Sequence, residues 1–256
     1  MHFSLKVLAA LAVTCVPGGY ASPLLPINPG PDCDCLGFDL GSIIDLVKTG
    51  TLCCGNKGIN WAYYDNDLRN TGENYPNYDP ASVKTISPVH EEVTSFIGGV
   101  RGEVLNDHLE GGPIYNSSVS LDGQFYTLNH HFYLLAPVSG EYTFTTTKVD
   151  DAFFLWIGKD AYSGWTVDNV AAKAYWSFDG TGSGKVTYKV TLKHGTFTPI
   201  RVVYSDAQGG GAFVFSITSP GGHTILDGTS DYSPFIIQHS CDGIIAPEFP
   251  AFGSEI

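Results

Sequence analysis

Short apolar or alternating segments follow one another from Gln124 to Asp227, and turn residues separate them. Segments of about four to eight residues with this pattern predict β-strands. The predicted strands are Phe125–Leu128, His131–Ala136, Tyr142–Thr147, Phe153–Gly158, Ala174–Phe178, Lys185–Leu192, Pro199–Tyr204, Ala212–Thr218 and His223–Asp227, with an earlier one at Ile59–Tyr64. No helical period lies between them. This spacing indicates an all-β fold, an antiparallel β-sandwich of the jelly-roll-like kind.

Two adjacent carboxylates, Asp150 and Asp151, come directly before the most apolar of these strands, Phe153–Ile157. Neighbouring side chains on an extended strand point to opposite faces, so such a pair cannot ordinarily aim at one point. A cis peptide bond would bring both carboxylates to the same side, where a hard cation such as calcium binds oxygen ligands. The dipeptide by itself favours a solvated turn, and only a second loop with ligand atoms changes that interpretation.

A second oxygen-rich loop, Asp206–Gly211, joins two of the predicted strands. Asp206 offers a carboxylate, and the glycines let the backbone curl so that carbonyl oxygens, for example those of Gln208 and Gly210, point inward. Taken alone, this composition is also typical of a flexible hairpin turn. The candidate calcium ligands are Asp150, Asp151, Asp206, Gln208 and Gly210.

The first 21 residues have the pattern of a secretory signal peptide. A basic start that includes Lys6 is followed by the apolar stretch Val7–Val13, and Gly19 and Ala21 are the small residues that precede cleavage. No other apolar run approaches the roughly 20 residues that a membrane-spanning helix needs. We therefore expect a secreted protein, extracellular or in a cell wall, with no membrane span.

The chain is strongly acidic. Its formal net charge is −13, and it becomes −14 without residues 1–21, which contain Lys6 and no acidic residue. Such acidity argues against nucleic acid and anionic membrane surfaces as partners and is compatible with cation binding. Charged residues make up only 15% of the chain, and its 30 glycines favour strands and turns over charged helices.

Four segments follow from these patterns. Residues 1–21 form the signal peptide, residues 22–58 a proline- and cysteine-rich segment, residues 59–242 the sandwich and residues 243–256 a flexible tail. The second segment contains a short predicted helix over Leu40–Lys48 that ends before Gly50. Within the sandwich, residues 65–90 predict a long loop, and Asn116-Ser117-Ser118 is an N-glycosylation sequon.

Five cysteines remain after removal of the signal peptide. In an oxidising compartment an odd number predicts two disulfides and one further thiol. Cys33 and Cys35 are the natural partners of Cys53 and Cys54, unless Cys241 takes one of them and links the C-terminal tail to the N-terminal segment. We favour that link. A zinc site is disfavoured because the usual two-residue spacers are missing.

Three stretches together resemble the protective-antigen-type β-sandwich, and more narrowly the GLEYA branch of fungal, flocculin-like adhesins. These stretches are Phe132–Phe144, Val149-Asp150-Asp151 with Leu155–Trp165, and Pro199–Tyr204. The resemblance covers about Asn60 to Asp231. It implies a lectin in which an Asp-cis-Asp pair, an Asn side chain and backbone carbonyls of a second loop hold calcium, while sugar hydroxyls complete its shell. Asp150 and Asp151 match the pair, whereas Asp206 stands where the pattern has Asn. The resemblance also implies that Gln208, Gly209 and Gly210 of the second loop bind the sugar.

Aromatic and histidine side chains add further candidates. Tyr162 and Trp165 lie in a polar segment after the central strand, where a sugar could stack on an exposed ring, or where both rings could pack under the sandwich edge. Trp61 and Trp156 fall in strand patterns and are expected in the core. His130-His131 face oppositely on one strand, so a structural role is favoured over a shared metal.

The leading functional hypothesis is calcium-dependent binding of cell-surface or cell-wall glycans, through a terminal hexose or N-acetylhexosamine, by a monomeric secreted lectin. No Gly-x-Ser-x-Gly elbow or His-Glu-x-x-His helix is present, so these signatures of hydrolases are absent from the sequence. A glycoside hydrolase or its accessory module stays an alternative, since paired carboxylates of such enzymes are far apart in sequence. The third hypothesis is a structural cell-wall protein whose loops bind nothing.

Overall fold

Two antiparallel sheets pack face to face in the computed structural model, which describes residues 55–255 except 102, 106–107, 111–113, 118, 120–122, 180 and 230–231. The strands are β1 (Ile59–Asp65), β2 (His90–Thr94), β3 (Gly98–Arg101), β4 (Glu103–Leu105), β5 (His108–Glu110), β6 (Tyr126–Leu135), β7 (Gly140–Asp150), β8 (Ala152–Ile157), β9 (Ala172–Tyr175), β10 (Gly184–Leu192), β11 (Phe197–Asp206), β12 (Ala212–Thr218), β13 (Thr224–Leu226) and β14 (Ile236–Ile237). One short helix, α1 (Lys159–Tyr162), and three 3₁₀ turns, Pro80–Thr85, Ile114–Asn116 and Val167–Asn169, complete the described elements.

The larger sheet, sheet A, has the strand order β2-β1-β6-β11-β8-β9, and β14 pairs with β6. The second sheet of the sandwich, sheet B, has the order β10-β7-β12-β13, and β3 pairs with β12. Strands β4 and β5 form a separate two-stranded sheet. Consecutive strands β7 and β8 lie in different sheets, and so do β11 and β12. The chain therefore crosses from one sheet to the other at both of the loops that the sequence singles out.

The core lies between the two sheets because alternate residues of each strand point inward. Sheet A contributes Trp61, Phe132 and Val202, and sheet B contributes Phe144 and Phe213, all at most 1% exposed. Burial of large side chains of this kind contributes about 2 to 3 kcal/mol each. The all-β sandwich that the sequence predicts is confirmed.

Strand β6 is longer than predicted. The sequence indicates two strands, with polar Asn129 and His130 between them, yet Tyr126–Leu135 is one ten-residue strand and is buried throughout. His130 lies inside because its ring is fully paired: Nδ1 donates to the Val202 carbonyl at 3.0 Å, and Nε2 accepts from the Tyr115 hydroxyl at 2.8 Å. Hydrogen bonds of this kind remove most of the cost of burying polar groups.

The outer face of sheet A is also covered. Ala62, Phe154, Trp156 and Val203 on that face form a second apolar cluster with residues of the long loop after β1. Trp156, like Trp61, is completely buried, as the strand patterns predict. Burial on both faces explains why the strands of sheet A carry apolar runs without clear alternation.

The C-terminal segment is not the flexible tail that the sequence predicts. Ala246 is completely buried, Phe249 is 8% exposed and Glu255 only 3% exposed. The Glu255 carboxylate pairs with the guanidinium of Arg201, with Nη2 and Oε2 3.0 Å apart, and its backbone N–H donates to the Lys84 carbonyl at 2.9 Å. The segment therefore forms part of the cover over sheet A.

The predicted signal peptide, the predicted helix at Leu40–Lys48 and four of the five cysteines after residue 21 lie outside the described residues. Cys241 is disulfide-bonded. Because every other cysteine falls outside the description, the pairing stays a prediction. Asn56–Ile256 forms one compact unit. Among the described residues, no helix is long and apolar enough to cross a membrane.

Candidate functional site

Asp150 and Asp151 lie where the chain passes from sheet B to sheet A. Asp150 is the last residue of β7 and stands opposite Ala212, while Ala152 begins β8 opposite Ser205. The peptide bond between the two aspartates is cis. The pair is therefore at one end of the sandwich, between the strands that flank the loop Asp206–Gly211.

The glycine-rich loop closes directly against this pair. The backbone N–H of Ala207 donates to Oδ2 of Asp151 at 2.7 Å. The Tyr204 hydroxyl, from the end of β11, donates to the backbone carbonyl of Asp150. Strand register thus brings together two loops that are more than fifty residues apart in sequence, as the hydrogen bond between positions 207 and 151 illustrates.

The Asp206 carboxyl group is buried without a hydrogen-bond partner. The residue is 1% exposed, and neither Oδ1 nor Oδ2 has a partner. A Cβ atom added to Gly211 would lie 2.4 Å from Asp206 Oδ1 and 2.7 Å from the Tyr204 hydroxyl. A side chain at position 211 would therefore displace the Asp206 carboxyl group. Two unpaired carboxyl oxygens in a buried position are costly and mark a place for a missing partner.

The carboxyl groups of the site raise one another's pKa values. Burial and the neighbouring Asp151 charge raise the pKa of Asp150 to about 7. Burial, followed by the charges of Asp151 and Asp150, raises the pKa of Asp206 to about 9. Burial also raises the pKa of Asp151, although hydrogen bonds from Asn70 and Ala207 oppose that shift. Crowded acids of this kind take up protons or a cation to relieve their repulsion.

The residues present fit a divalent cation on these grounds, because the cation would provide the partner that Asp206 lacks and neutralise the crowded carboxylates. Asp150 and Asp206 are the side chains with available oxygens. Among the residues that the structure describes, no three His, Cys, Asp or Glu side chains could hold a metal ion as a group. A cation here therefore needs oxygen atoms of other kinds, such as backbone carbonyls, water or hydroxyl groups of a ligand.

A third loop, after β1, completes the site and was missed from sequence. Asn70 is 4% exposed, and its side-chain Nδ2 donates to Asp151 Oδ1 at 2.7 Å. The backbone N–H of Asn70 donates to Oε1 of Gln208 at 3.0 Å, and Gln208 Nε2 donates back to the Asn70 carbonyl at 2.9 Å. Each oxygen of the Asp151 carboxylate is thereby held by a different loop. The sequence signal was weak, namely one Asn among many polar residues after β1.

The predicted residues of the glycine-rich loop have distinct positions. The side-chain amide of Gln208 is used in its two hydrogen bonds to Asn70, so only its backbone carbonyl is left as a candidate ligand. Gly209 has φ of +100°, a conformation that glycine adopts without strain. Gly210 is partly exposed in the same loop.

Tyr162 and Trp165 do not line this site, which corrects the sequence-based expectation. They follow the far end of β8, and a six-residue strand spans about 20 Å. Trp165 is completely buried, with the Arg201 guanidinium carbon 4.7 Å and the Lys84 ammonium 5.0 Å from its ring. The Tyr162 hydroxyl donates to the Glu248 carbonyl at 2.9 Å. Both rings pack under the edge of the sandwich, so they cannot offer a stacking face beside the aspartates.

The two adjacent histidines face opposite sides, as predicted, and both are buried. The ring of His131 stacks between Phe249 and Phe252, with centroids 4.4 and 4.3 Å away. Burial lowers the pKa of His130 to about 4 and that of His131 well below its usual range. Both rings are therefore neutral near pH 7 and act as packing residues.

A groove of about 530 Å³ lies away from the aspartates, between β2 and the C-terminal segment. Its lining includes Asn60, Glu91, His131 and Phe252, and it contains none of the predicted site residues. On β6, His131 is five residues from Tyr126, which is paired with Asp206. The groove is thus separate from the carboxylate site.

The chain is similar in sequence to a known domain family and to yeast proteins. Residues 126–219 match the family model of the GLEYA domain. The chain is 25% identical over 200 residues to putative cell agglutination protein pfl4 of Schizosaccharomyces pombe, a match that covers 72% of this chain and 33% of the relative. It is 26% identical over 188 residues to pfl8 of the same yeast, covering 66% of this chain and 49% of the relative. The chain thus spans between a third and a half of these relatives.

The fold is shared with an adhesin of known structure. The A domain of epithelial adhesin 6 from Candida glabrata, solved in complex with Galβ1-3GlcNAc, superposes with a TM-score of 0.53 at 20% sequence identity. The superposition covers 79% of this chain and 96% of that domain. Residues 126–219 are thus similar to the GLEYA domain, and the β-sandwich has the same fold as the A domain of this adhesin.

Proposed function

We propose that this protein is a calcium-dependent lectin that binds glycans at the end of the sandwich where its three loops meet. The observation that carries the proposal is the buried Asp206 carboxyl group, with both oxygens unpartnered beside the cis pair of Asp150 and Asp151. A buried acid of this kind is best explained by a ligand that supplies positive charge. The complex of the fold relative with Galβ1-3GlcNAc supports a sugar as the second ligand.

In this proposal the side chains of Asp150 and Asp206 contact the ion, Asp151 adds negative charge beside them, and the backbone carbonyls of Gln208 and Gly210 add oxygen ligands. When bound, calcium supplies positive charge and coordination positions for two neighbouring sugar hydroxyls. Asn70 and Ala207 keep the Asp151 carboxylate in place through their hydrogen bonds. Because Gly211 has no side chain, the Asp206 carboxyl group can keep its buried position.

The glycans are expected on cell surfaces or cell walls, through a terminal hexose or N-acetylhexosamine. The relatives are named as agglutination proteins, which favours binding over glycoside hydrolysis and a place outside the cell. Secretion through the signal peptide, glycosylation at Asn116 and the monomeric state remain predictions.

Calorimetry of the full chain with a panel of hexoses and N-acetylhexosamines, in calcium and in chelator, tests the proposal. We expect sugar binding only in calcium. We expect Asp206→Ala to weaken calcium binding by more than about tenfold, since it removes a ligand. Asp168→Ala, which removes an exposed acid from the 3₁₀ turn beyond β8, is the matched control and should bind like the wild type. Sugar binding that persists in chelator would exclude the mechanism.

A further inference from the structure

We propose that Arg69, held over the ring of Phe125 at the mouth of the carboxylate site, selects sugars that carry a negatively charged group. This inference rests on the proposed lectin function and deepens it by naming a class of saccharide. The ligand would be a hexose with a carboxylate, sulfate or phosphate substituent. Arg69 would contact the ligand, and Phe125 would position Arg69.

Phe125 is tied to two of the three loops that form the site. Its backbone N–H donates to the carbonyl of Ala207 at 2.9 Å, and its own carbonyl accepts from the N–H of Asn66 at 2.8 Å. Ala207 is the residue whose N–H holds Asp151. The Phe125 ring is only half-buried. The backbone of Phe125 is therefore fixed between two loops of the site, and the residue is partly exposed there.

The backbone of Phe125 supports a specific role for this position. Its φ is +58°, in the left-handed region, where a bulky aromatic residue is an outlier. Such strain persists where surrounding structure enforces it, and it concentrates at ligand-binding sites. The two hydrogen bonds to the flanking loops are that enforcing structure.

Arg69 comes directly before Asn70, the residue whose side chain contacts Asp151 Oδ1. Its guanidinium carbon lies 5.7 Å from the centroid of the Phe125 ring, within the range of a cation–π interaction. The side chain is exposed. Its backbone carbonyl accepts from Asn77 Nδ2 at 2.9 Å, so the main chain is anchored while the charged end faces solvent.

The charge of Arg69 is available to a ligand. None of the ion pairs found among the described residues includes Arg69, although Asp67 is exposed in the same loop. The carboxylate of Glu73, in the same loop, accepts a hydrogen bond from the backbone N–H of Phe178 at 2.7 Å. On a chain with a net charge of −13, an unpaired guanidinium beside the candidate site is the group that would attract an anion. Its planar donors match carboxylate, sulfate and phosphate oxygens.

The test compares neutral and anionic forms of the same sugar by calorimetry in calcium. The pairs are galactose with galactose 6-sulfate, mannose with mannose 6-phosphate, and methyl glucoside with methyl glucuronide. For the hexose that binds, we expect the anionic form to bind about threefold to fivefold more tightly, as for one partly exposed charge pair. The three pairs also distinguish sulfate, phosphate and carboxylate as the preferred group.

Variants then assign the preference to these residues. Arg69→Ala should abolish the preference while binding of the neutral sugar stays unchanged, and Arg69→Lys should retain part of it. Phe125→Leu keeps an apolar side chain without an aromatic face and should reduce the preference to an intermediate value. Lys193→Ala, which removes an exposed positive charge beyond the opposite end of β10, is the control and should change nothing.

The outcomes separate this inference from the proposed function. Calcium-dependent binding of neutral sugars without a preference for any anionic form, or a preference that survives Arg69→Ala, would overturn the role of Arg69 and leave the lectin function intact. Absence of binding to every neutral and anionic sugar in calcium would overturn the lectin function itself.

Discussion

At the scale of single residues, the site is organised around a carboxyl group that the fold buries without a partner. Asp206 occupies the position at which the resemblance implies Asn. Both residues offer a side-chain oxygen, but only Asp adds a charge next to Asp150 and Asp151, and its pKa rises to about 9 as a result of burial and these neighbours. The identity of this one residue therefore decides how much burial of its side chain costs the protein and how strongly the site attracts a cation.

Asp206→Asn should stabilise the protein in chelator. The substitution removes a buried acid, so we expect the free energy of unfolding near pH 8 to rise by about 1 to 2 kcal/mol, the usual scale for a buried group without a partner. Urea denaturation in chelator measures the change. Calcium should still bind, more weakly. An unchanged or lower stability would show that the Asp206 carboxyl group carries no such cost.

Gly211→Ala should weaken calcium binding because the new methyl group takes the space of Asp206 Oδ1, 2.4 Å from the Cβ position. Titration with calcium, or with terbium followed by luminescence, measures the affinity, which should fall by about tenfold or more. Gly72→Ala is the matched control, since its Cβ would meet nothing within 4 Å. Equal calcium affinities of the two variants would show that a methyl group at position 211 does not disturb the Asp206 carboxyl group.

At the scale of elements, the outer cover of sheet A is fixed by an ion pair from the C-terminal segment. Arg201 on β11 is completely buried and Glu255 is 3% exposed, with Nη2 and Oε2 3.0 Å apart. Trp165 Nε1 donates to the same carboxylate at 2.6 Å, and Arg201 Nε donates to the Ala161 carbonyl at 3.0 Å. One carboxylate thus connects the C-terminal segment to β11 and to the segment after β8.

Glu255→Ala should lower the free energy of unfolding by about 3 to 5 kcal/mol, because it leaves the Arg201 guanidinium buried without a counter-charge. Glu141→Ala is the control. Its carboxylate pairs with Lys189 at 2.7 Å on the surface, where both side chains are more than half exposed, so the loss should stay within about 1 kcal/mol. Denaturant titration measures the free energy of unfolding of both variants. Losses of equal size would contradict a stabilising role of the buried Glu255 carboxylate.

At the scale of the whole molecule, the crowded acids link stability to pH and to calcium. The pKa values of Asp150 and Asp206, about 7 and about 9 in the fold, exceed the ordinary value of 3.8, so the folded protein holds protons that the unfolded chain has released. The free energy of unfolding therefore falls as the pH rises from the ordinary value of 3.8 to about 9, the pKa of Asp206 in the fold. The buried His130 and His131 have lowered pKa values and act in the opposite direction, but only below about pH 6.5.

The melting temperature in chelator should accordingly fall between about pH 7 and pH 9, where Asp206 is the main group still protonated. Calcium should raise the melting temperature, and by more at the higher pH, because there it displaces fewer protons. Scanning calorimetry at both pH values, with and without calcium, measures both effects. Asp206→Asn should flatten the dependence in chelator. Identical curves in calcium and chelator would favour a cell-wall protein whose loops bind nothing.

Local pattern was sufficient for much of this protein. Strand-forming segments and turns determined the all-β class, because alternation and strand length depend only on neighbouring residues. The cis pair at Asp150 and Asp151 and the loop of Asp206 were recognisable because each is a short stretch with its own composition. The tertiary structure decided the contacts between residues that are far apart in sequence. Asn70 contacts Gln208, 138 residues later, and Arg201 contacts Glu255, 54 residues later.

Burial was the other property that only the tertiary structure decided. Trp165 is hidden rather than exposed, the C-terminal segment is packed rather than flexible, and Phe125 adopts a left-handed conformation. A sequence pattern indicates which residues prefer a core. The register of the sheets and the paths of the loops determine which face of a sheet each loop or segment covers. Those depend on long-range pairing, which periodicity in a single chain does not encode.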